Sequence, residues 1–217
     1  MYKKLYIFVG PPGSGKGTQA DMLIKPLNLN YFSVGEILRQ EIANKTTLGK
    51  QVKSYVKEGL LVPDELIASL MIDKLAKSRK SLIFDGFPRN IKQAELLNKA
   101  LLELALPAIV VQIQLPSKKI FERIAGRRYC VCGKTYHIKF NPPKQRGLCD
   151  RCGKKLKIRA DAKSEVVHQR IAIYNRKTKP VLKVYAKNDN CTMINLDGDR
   201  SILDVHRDLK QQLKNLL

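Results

Sequence analysis

The glycine-rich stretch Gly10-Pro-Pro-Gly-Ser-Gly-Lys-Gly-Thr18 constrains the fold of this chain more than any other feature. An apolar run over residues 5–9 precedes it directly, and the apolar spacing over residues 19–24 predicts a helix after it. Because glycine has no side chain, successive backbone N–H groups can converge on phosphate oxygens at the positive end of that helix. A glycine-rich turn without a ligand is the alternative. Strand, spacing, lysine and helix together predict a phosphate-binding loop.

Two side chains of the loop carry the expected chemistry. Lys16 supplies a positive charge for the β- and γ-phosphates, and Thr18 is the hydroxyl expected on Mg²⁺. The common pattern places Ser or Thr directly after the lysine, whereas Gly17 intervenes here. The loop therefore predicts a nucleotide site with Mg²⁺ as its metal.

Composition limits the class of protein. The chain has 217 residues, 44% hydrophobic and 28% charged, as expected for a globular domain with an inserted subdomain. The apolar run before Gly10 is too short for a secretory segment, and no stretch is long enough to span a membrane. We therefore expect a cytoplasmic protein without a membrane partner. In that reducing compartment the five cysteines favour metal ligands or free thiols over disulfides.

The net charge of +22 is concentrated in one part of the chain. Residues 118–179 hold 19 of the 41 Lys and Arg residues and only four acidic residues. Such a field could steer a polyanionic nucleotide or hold nucleic acid. A lysine-rich, solvated surface explains most of the same lysines equally well.

Strand-like and helical patterns alternate along the chain, which predicts a doubly wound α/β sheet with helices on both faces. Ser33 and Glu36 have the spacing of a capping box, and Gly59 is a plausible helix end. Pro180 should kink or end the helix that runs to about residue 177. Beyond residues 5–9, strands are predicted at residues 29–32, 81–85, 108–115 and 191–196, and further helices at residues 48–56 and 201–216.

Several charged side chains outside the loop are candidates for the same site. Asp85 ends a buried strand, where a carboxylate would order Mg²⁺ through its waters, although an Asp-Gly turn is the alternative. Arg39 could grip a phosphate in bidentate fashion or could simply be solvated. Arg159 and Arg170 are eleven residues apart, so they share a face about 16 Å long if one helix includes both.

Four cysteines form two closely spaced pairs, Cys130-Val-Cys132 and Cys149-Asp-Arg-Cys152. Thiolate pairs at both ends of a short, loop-rich segment are typical of a structural zinc site. The first pair is C-x-C where C-x-x-C is usual, so thiols that no longer bind metal, or a nucleic-acid-binding ribbon, stay open as alternatives. Cys191, on a predicted strand, is expected to be a small buried hydrophobe.

Taken together, these motifs resemble the adenylate kinases over nearly the whole chain. The resemblance rests on the phosphate loop, residues 33–39 and 59–65, Asp85-Gly-Phe-Pro-Arg-Asn-Ile-Lys-Gln93, Gly126-Arg-Arg128, the four cysteines, Tyr136-His-x-x-Phe-Asn-Pro-Pro143, Arg159-x-Asp161 and Arg170. It implies a P-loop CORE with a five-stranded parallel sheet (residues 1–32, 63–125 and 164–217), an NMP-binding helical insertion (33–62) and a zinc-bearing LID (126–163). It also implies a monomer that converts ATP and AMP into two ADP and binds no nucleic acid.

The resemblance assigns a role to each matching residue. It implies ATP binding by Gly13, Ser14, Gly15, Lys16, Gly17, Thr18, Arg123, Arg127, Thr135, Tyr136 and Arg200. It implies AMP binding by Val34, Arg39, Leu60, Leu61, Val62, Gly86, Phe87, Pro88, Arg89, Gln93, Arg159 and Arg170. The implied catalytic residues are Lys16, Asp85, Arg89, Arg123, Arg127, Arg159 and Arg170, and the implied zinc ligands are Cys130, Cys132, Cys149 and Cys152.

Three positions depart from the family pattern. Val34 stands where a threonine is usual, so base selection depends more on Gln93, and Ala162 replaces a second aspartate after Asp161. The C-x-C pair is the third departure. The competing functions are a UMP/CMP-type kinase, which usually has Asn in place of Gln93 and a short LID without cysteines, and a nucleic-acid-binding zinc protein. The latter would leave the phosphate loop and the arginines without a role.

Overall fold

The computed structural model describes residues 3–216, in which helices and strands alternate. No helix in this part of the chain is long and apolar enough to cross a membrane. The helices are α1 (Lys16–Ile24), α2 (Val34–Ala43), α3 (Thr47–Glu58), α4 (Asp64–Lys77), α5 (Ile91–Glu103), α6 (Ser117–Ala125), α7 (Ser164–Ile173), α8 (Val181–Tyr185) and α9 (Ile202–Lys214). The strands are β1 (Leu5–Val9), β2 (Asn30–Ser33), β3 (Leu82–Asp85), β4 (Ala108–Gln114), β5 (Arg127–Tyr129), β6 (Thr135–His137) and β7 (Cys191–Asp197).

Five strands form one parallel sheet in the order β2-β3-β1-β4-β7, which confirms the predicted fold class. Alternate residues of β1 point to opposite faces. Leu5, Ile7 and Val9 pack into a core with α2, α3, α4, α5 and α8, whereas Tyr6 and Phe8 pack into a second core with α1 and α9. Because parallel strands all end at one edge, the loops after β1 and β3 lie side by side there.

Two helix N-termini differ in detail from the sequence prediction. α1 begins at Lys16 rather than near residue 19, because Gly15 takes the left-handed conformation (φ 98°) and serves as its N-cap. Ser33 is the N-cap of α2, but in the described structure its hydroxyl makes no capping hydrogen bond. The predicted capping box is therefore wrong. Glu36 instead lines a cleft, where it interacts electrostatically with Arg39.

The condition that one helix includes both Arg159 and Arg170 is not met. Arg159 has an extended backbone and precedes a short 3₁₀ turn, Ala160–Ala162, and α7 begins only at Ser164. The helical path then widens into a π-helical turn, Tyr174–Thr178, before Pro180 and continues into α8. Proline lacks an N–H and displaces the carbonyl four residues before it, so the regular α-helical hydrogen bonding is interrupted here and the helical path then resumes in α8.

The segment of residues 126–163, called here the 126–163 unit, contains a second, two-stranded sheet and the four paired cysteines. β5 and β6 pair antiparallel, and Tyr129 bridges to Lys157. The unit has a small core in which Cys130, Tyr136 and Cys149 are buried. Cysteines therefore supply two of the three buried side chains of this core.

Candidate active site

A cleft of about 520 Å³ opens at the carboxyl edge of the parallel sheet. The phosphate loop forms its floor, and residues of α2, α7 and the 126–163 unit complete its walls. Most of the residues singled out in the sequence meet here: Gly13, Ser14, Gly15, Lys16, Gly17, Thr18, Arg39, Asp85, Arg89, Arg123, Arg127, Thr135, Tyr136, Arg159, Arg170 and Arg200.

The Lys16 ammonium group folds back onto its own loop. It donates hydrogen bonds to the carbonyl oxygens of Gly10 (2.8 Å) and Pro11 (2.9 Å) and to Oγ of Ser14 (3.3 Å). Burial lowers the pKa of Lys16 to about 8; the nearby Asp85 carboxylate opposes this shift, and Arg89 adds to it. The loop is thus already shaped for an anion.

Asp85 has a partner that the sequence reasoning missed. The Tyr31 hydroxyl donates a hydrogen bond to Oδ2 of Asp85 (3.0 Å), and a side chain at Gly17 would contact both groups. Burial, and next the Asp85 charge, raise the pKa of Tyr31 well above its usual value. A tyrosine two residues before the end of β2 was the available signal, because β2 ends beside β3, opposite Asp85. The Asp85 carboxylate and the Thr18 hydroxyl are oxygen donors of the kind that Mg²⁺ takes beside phosphates.

Five arginines that interact through their charges line the cleft: Arg39, Arg89, Arg127, Arg159 and Arg170. Burial, followed by the charges of Arg159 and Arg170, lowers the pKa of Arg127 to about 9, and burial with Arg159 lowers that of Arg39 to about 10. Nη2 of Arg127 and Nε of Arg159 are buried without a hydrogen-bond partner among the described residues. Buried donors without partners are costly, so this cluster is suited to an anion.

One carboxylate partly balances these arginines. Arg170 donates a hydrogen bond from Nη1 to Oδ2 of Asp161 (2.7 Å). Burial would raise the pKa of the Asp161 carboxyl, but Arg170, Arg127 and Arg159 hold it below its usual value. With Ala162 as the next residue, this arrangement leaves most of the positive charge for a ligand.

A second pocket of about 70 Å³ lies beside the cleft, against α2, α3 and the residues after β3. Three of the residues predicted for AMP do not line this pocket. Arg159 lines the main cleft, and Phe87 is buried in the core, where its ring packs edge-on against Phe84. The structure places Pro88 next to it, after a cis peptide bond. Of the residues predicted for AMP, those lining the second pocket are Val34, Arg39, Leu60, Leu61, Val62, Gly86, Arg89, Gln93 and Arg170.

The far end of the main cleft is suited to a flat ring. Arg123 donates to the Gly198 carbonyl (2.6 Å) and lies 5.7 Å from the ring centre of Phe140, which is 42% exposed. Phe140 was not among the predicted site residues, although it belongs to the motif that follows Tyr136. The Tyr136 hydroxyl accepts the N–H of Asp150 (2.9 Å), so this side chain belongs to the core of the 126–163 unit. Arg200 pairs at 3.5 Å with Asp208.

The four cysteines of the 126–163 unit form a cluster that could hold a metal ion. Their sulfur atoms all lie within 4.8 Å of one another, with Cys130 3.3 Å from Cys152 and Cys132 3.6 Å from Cys149. These separations are too long for a disulfide bond. Metal–sulfur bonds of 2.3 Å in a tetrahedron place the sulfurs about 3.8 Å apart, so the cluster fits such an ion. Cys191 lies elsewhere, partly exposed on β7 against the main core.

Comparison with known proteins agrees with this geometry. The family model described as adenylate kinase matches residues 8–190. The chain belongs to the adenylate kinase family. It is 44% identical over 212 residues to the adenylate kinase of Caldanaerobacter subterraneus subsp. tengcongensis, with 95% of each chain covered. Identity to the Thermoanaerobacter sp. adenylate kinase is 42% over 211 residues (95% and 96% covered), and to that of Methanocella arvoryzae 41% over 215 residues (97% and 99% covered). Family membership thus extends over both pockets and the cysteine cluster.

The low pKa of Lys16 gives this adenylate kinase family member a testable pH dependence. We expect the affinity for inorganic tripolyphosphate, divided by that of Lys16→Met at the same pH, to be constant below about pH 8 and to fall up to tenfold per pH unit above it, because the free protein then loses the Lys16 proton. The division removes the contributions of the other titrating groups and of the ligand. Titration calorimetry between pH 7 and 9 measures this. Lys16→Met should bind more weakly throughout, and a ratio that stays constant from pH 7 to 9 would contradict the assignment.

Proposed function

We propose that this chain transfers the terminal phosphoryl group of Mg-ATP to AMP, reversibly, giving two ADP. The observation that carries this proposal is the arginine cluster, which lies where the main cleft and the second pocket meet. Arg39, Arg89 and Arg170 line both pockets. Two anions bound on either side of these arginines would face each other with their charges neutralised.

We propose three functional parts: an AMP-binding insertion (33–62), a LID (126–163) and a CORE formed by the rest of the chain. α2 and α3 contribute Val34, Arg39 and the pocket wall, and the LID contributes Arg127 and Arg159. The parts pack closely, since a methyl group at Gly59 would lie 2.9 Å from Cγ of Arg170. One chain supplies every proposed group, which supports activity as a monomer.

The proposed chemistry needs alignment rather than a nucleophilic side chain. The AMP phosphate itself attacks, and phosphoryl transfer is accelerated by in-line positioning and by neutralising charge on the equatorial oxygens. Lys16, Arg123 and Arg127 would serve the ATP side, and Arg89 and Arg170 the acceptor. The closed LID would exclude water, which would otherwise compete for the phosphoryl group.

Two further groups complete the proposed machinery. Mg²⁺, held near the Thr18 hydroxyl and Asp85, would supply positive charge between the ATP phosphates. Tyr31 would keep one oxygen of Asp85 occupied and so fix the direction of the carboxylate. Thr135 and Arg200 would flank the ATP base, with Arg123 against it, whereas the Tyr136 hydroxyl is occupied in the core of the LID.

Acceptor choice is assigned to the second pocket. Val34 is apolar, so Gln93 would recognise the adenine edge of AMP. A coupled assay with AMP, GMP, CMP and UMP as acceptors tests the proposal, and AMP should be used fastest. Faster turnover of CMP or UMP would replace it with the pyrimidine kinase alternative. A lack of transfer to every acceptor, together with nucleic-acid binding, would favour the zinc-ribbon alternative.

We expect Lys16 and Arg127 to act mainly on the transition state, because charge spreads over the transferring group only there. Lys16→Met and Arg127→Ala should each lower kcat by a factor on the order of 10² or more. Steady-state kinetics with ATP and AMP measure this. The matched control is Arg128→Ala, since Arg128 donates only to backbone carbonyls of Ala125 and Arg127. A raised KM with kcat intact in either test variant would refute the role.

We propose that the cysteine cluster holds one structural Zn²⁺ with no open position for catalysis. The proposed LID has few large apolar side chains, and units this small usually need a metal or crosslinks. Structural zinc in small peptides contributes about 10–16 kcal/mol of apparent binding free energy at neutral pH. Four thiolates with one Zn²⁺ would also add negative charge to a basic region.

Removal of the metal should therefore unfold the LID and leave the CORE folded. We expect Cys152→Ser, or treatment with a strong chelator, to abolish phosphoryl transfer while AMP binding stays measurable. Elemental analysis, a thermal melt and AMP titration are the measurements. Cys191→Ser, outside the cluster, is the matched control and should keep one zinc per chain. Purified protein without zinc, or full activity in chelator, would show that the C-x-C pair no longer makes a site.

A further inference from the structure

The Gln93 amide is held in one orientation by two partners of opposite character. Gln93 is 2% exposed; its Oε1 accepts the backbone N–H of Arg89 (2.7 Å), and its Nε2 donates to Oδ1 of Asp64 (2.8 Å). A backbone N–H can only donate, and a carboxylate can only accept. The amide therefore cannot turn over without breaking both bonds.

Asp64 is itself fixed by a neighbouring amide. Asn90 caps α5 by accepting the Gln93 N–H at Oδ1 (2.9 Å), which directs its Nδ2 to Oδ1 of Asp64 (2.7 Å). One carboxylate oxygen thus receives two N–H donors. The next residue, Glu65, lies on the surface with Lys92 and takes no part in this network.

The orientation of Gln93 matters because the second pocket offers few other side chains that could form hydrogen bonds with a base. Val34, Leu60, Leu61 and Val62 are apolar, and Gln93 is the one uncharged polar side chain among the described residues that line it. An amide has two N–H groups and two lone pairs, so one of each remains free on Gln93.

We propose that Asp64 is a specificity-determining residue: by fixing the Gln93 amide it selects adenine over hypoxanthine as the acceptor base. This inference rests on the proposed function. Adenine presents a donor at N6 and an acceptor at N1, whereas hypoxanthine presents an acceptor at O6 and a donor at N1. The two edges therefore require opposite orientations of the same amide, and Asp64 makes one of them costly.

The test compares AMP with IMP as acceptor in Asp64→Leu, Asp64→Asn and a control, Glu65→Leu. Asp64→Leu keeps the branched shape of the side chain but removes the acceptor, so the ratio of kcat/KM for AMP over IMP should fall about tenfold or more. Asp64→Asn keeps an acceptor oxygen and should retain most of the ratio. Glu65→Leu should leave it unchanged. A ratio of two substrates does not respond to a general loss of folded enzyme.

Each other outcome is informative. If Asp64→Leu does not fold by thermal melt, Asp64→Ser replaces it, because a hydroxyl that can donate and accept also lets the amide turn. An unchanged ratio in folded Asp64→Leu or Asp64→Ser would overturn the inference while leaving AMP phosphorylation intact. Failure of the unmutated protein to phosphorylate AMP would instead overturn the proposed function.

Discussion

The mutual repulsion of positive charges in the cleft is the constraint on which the rest of this structure depends. Burial and the charges of neighbouring arginines lower the pKa values of Arg127 and Arg39. Among the described residues, Asp161 is the one carboxylate that forms an ion pair with this cluster of arginines. A fold holds such groups together only if the elements that carry them are stabilised elsewhere. Two apolar cores on the faces of the sheet provide that stability.

The parallel sheet brings the charged groups of the cleft together at one edge. Because β1, β2 and β3 end together, the loop that carries Lys16, the strand end at Ser33 and the Asp85 carboxylate are brought to one edge without long connections. The arginines come from α2, the turn after β3, β5, the extended segment before the 3₁₀ turn and α7. The charged groups thus come from separate elements, and a bound polyanion would offset their mutual repulsion.

The sequence predicted what local chemistry determines. The phosphate loop, the parallel sheet and the four cysteines were recognisable because spacing alone specifies them, and the structure has each. The Ser33 capping box failed because Glu36 belongs to the cleft, and the Arg159 helix failed because an extended segment places that arginine instead. Tyr31 and Asp64 were missed for a related reason: their importance lies in a partner 54 or 29 residues away, which no periodicity reveals.

The hydrogen bonds that Lys16 makes inside its own loop have a consequence for turnover. When a phosphate leaves, the ammonium group returns to Gly10, Pro11 and Ser14 instead of being left unsatisfied. These loop acceptors therefore compete with a departing product phosphate for the Lys16 ammonium group, and the loop keeps its shape between one reaction and the next. The lysine exchanges one set of acceptors for another, which favours release as much as capture.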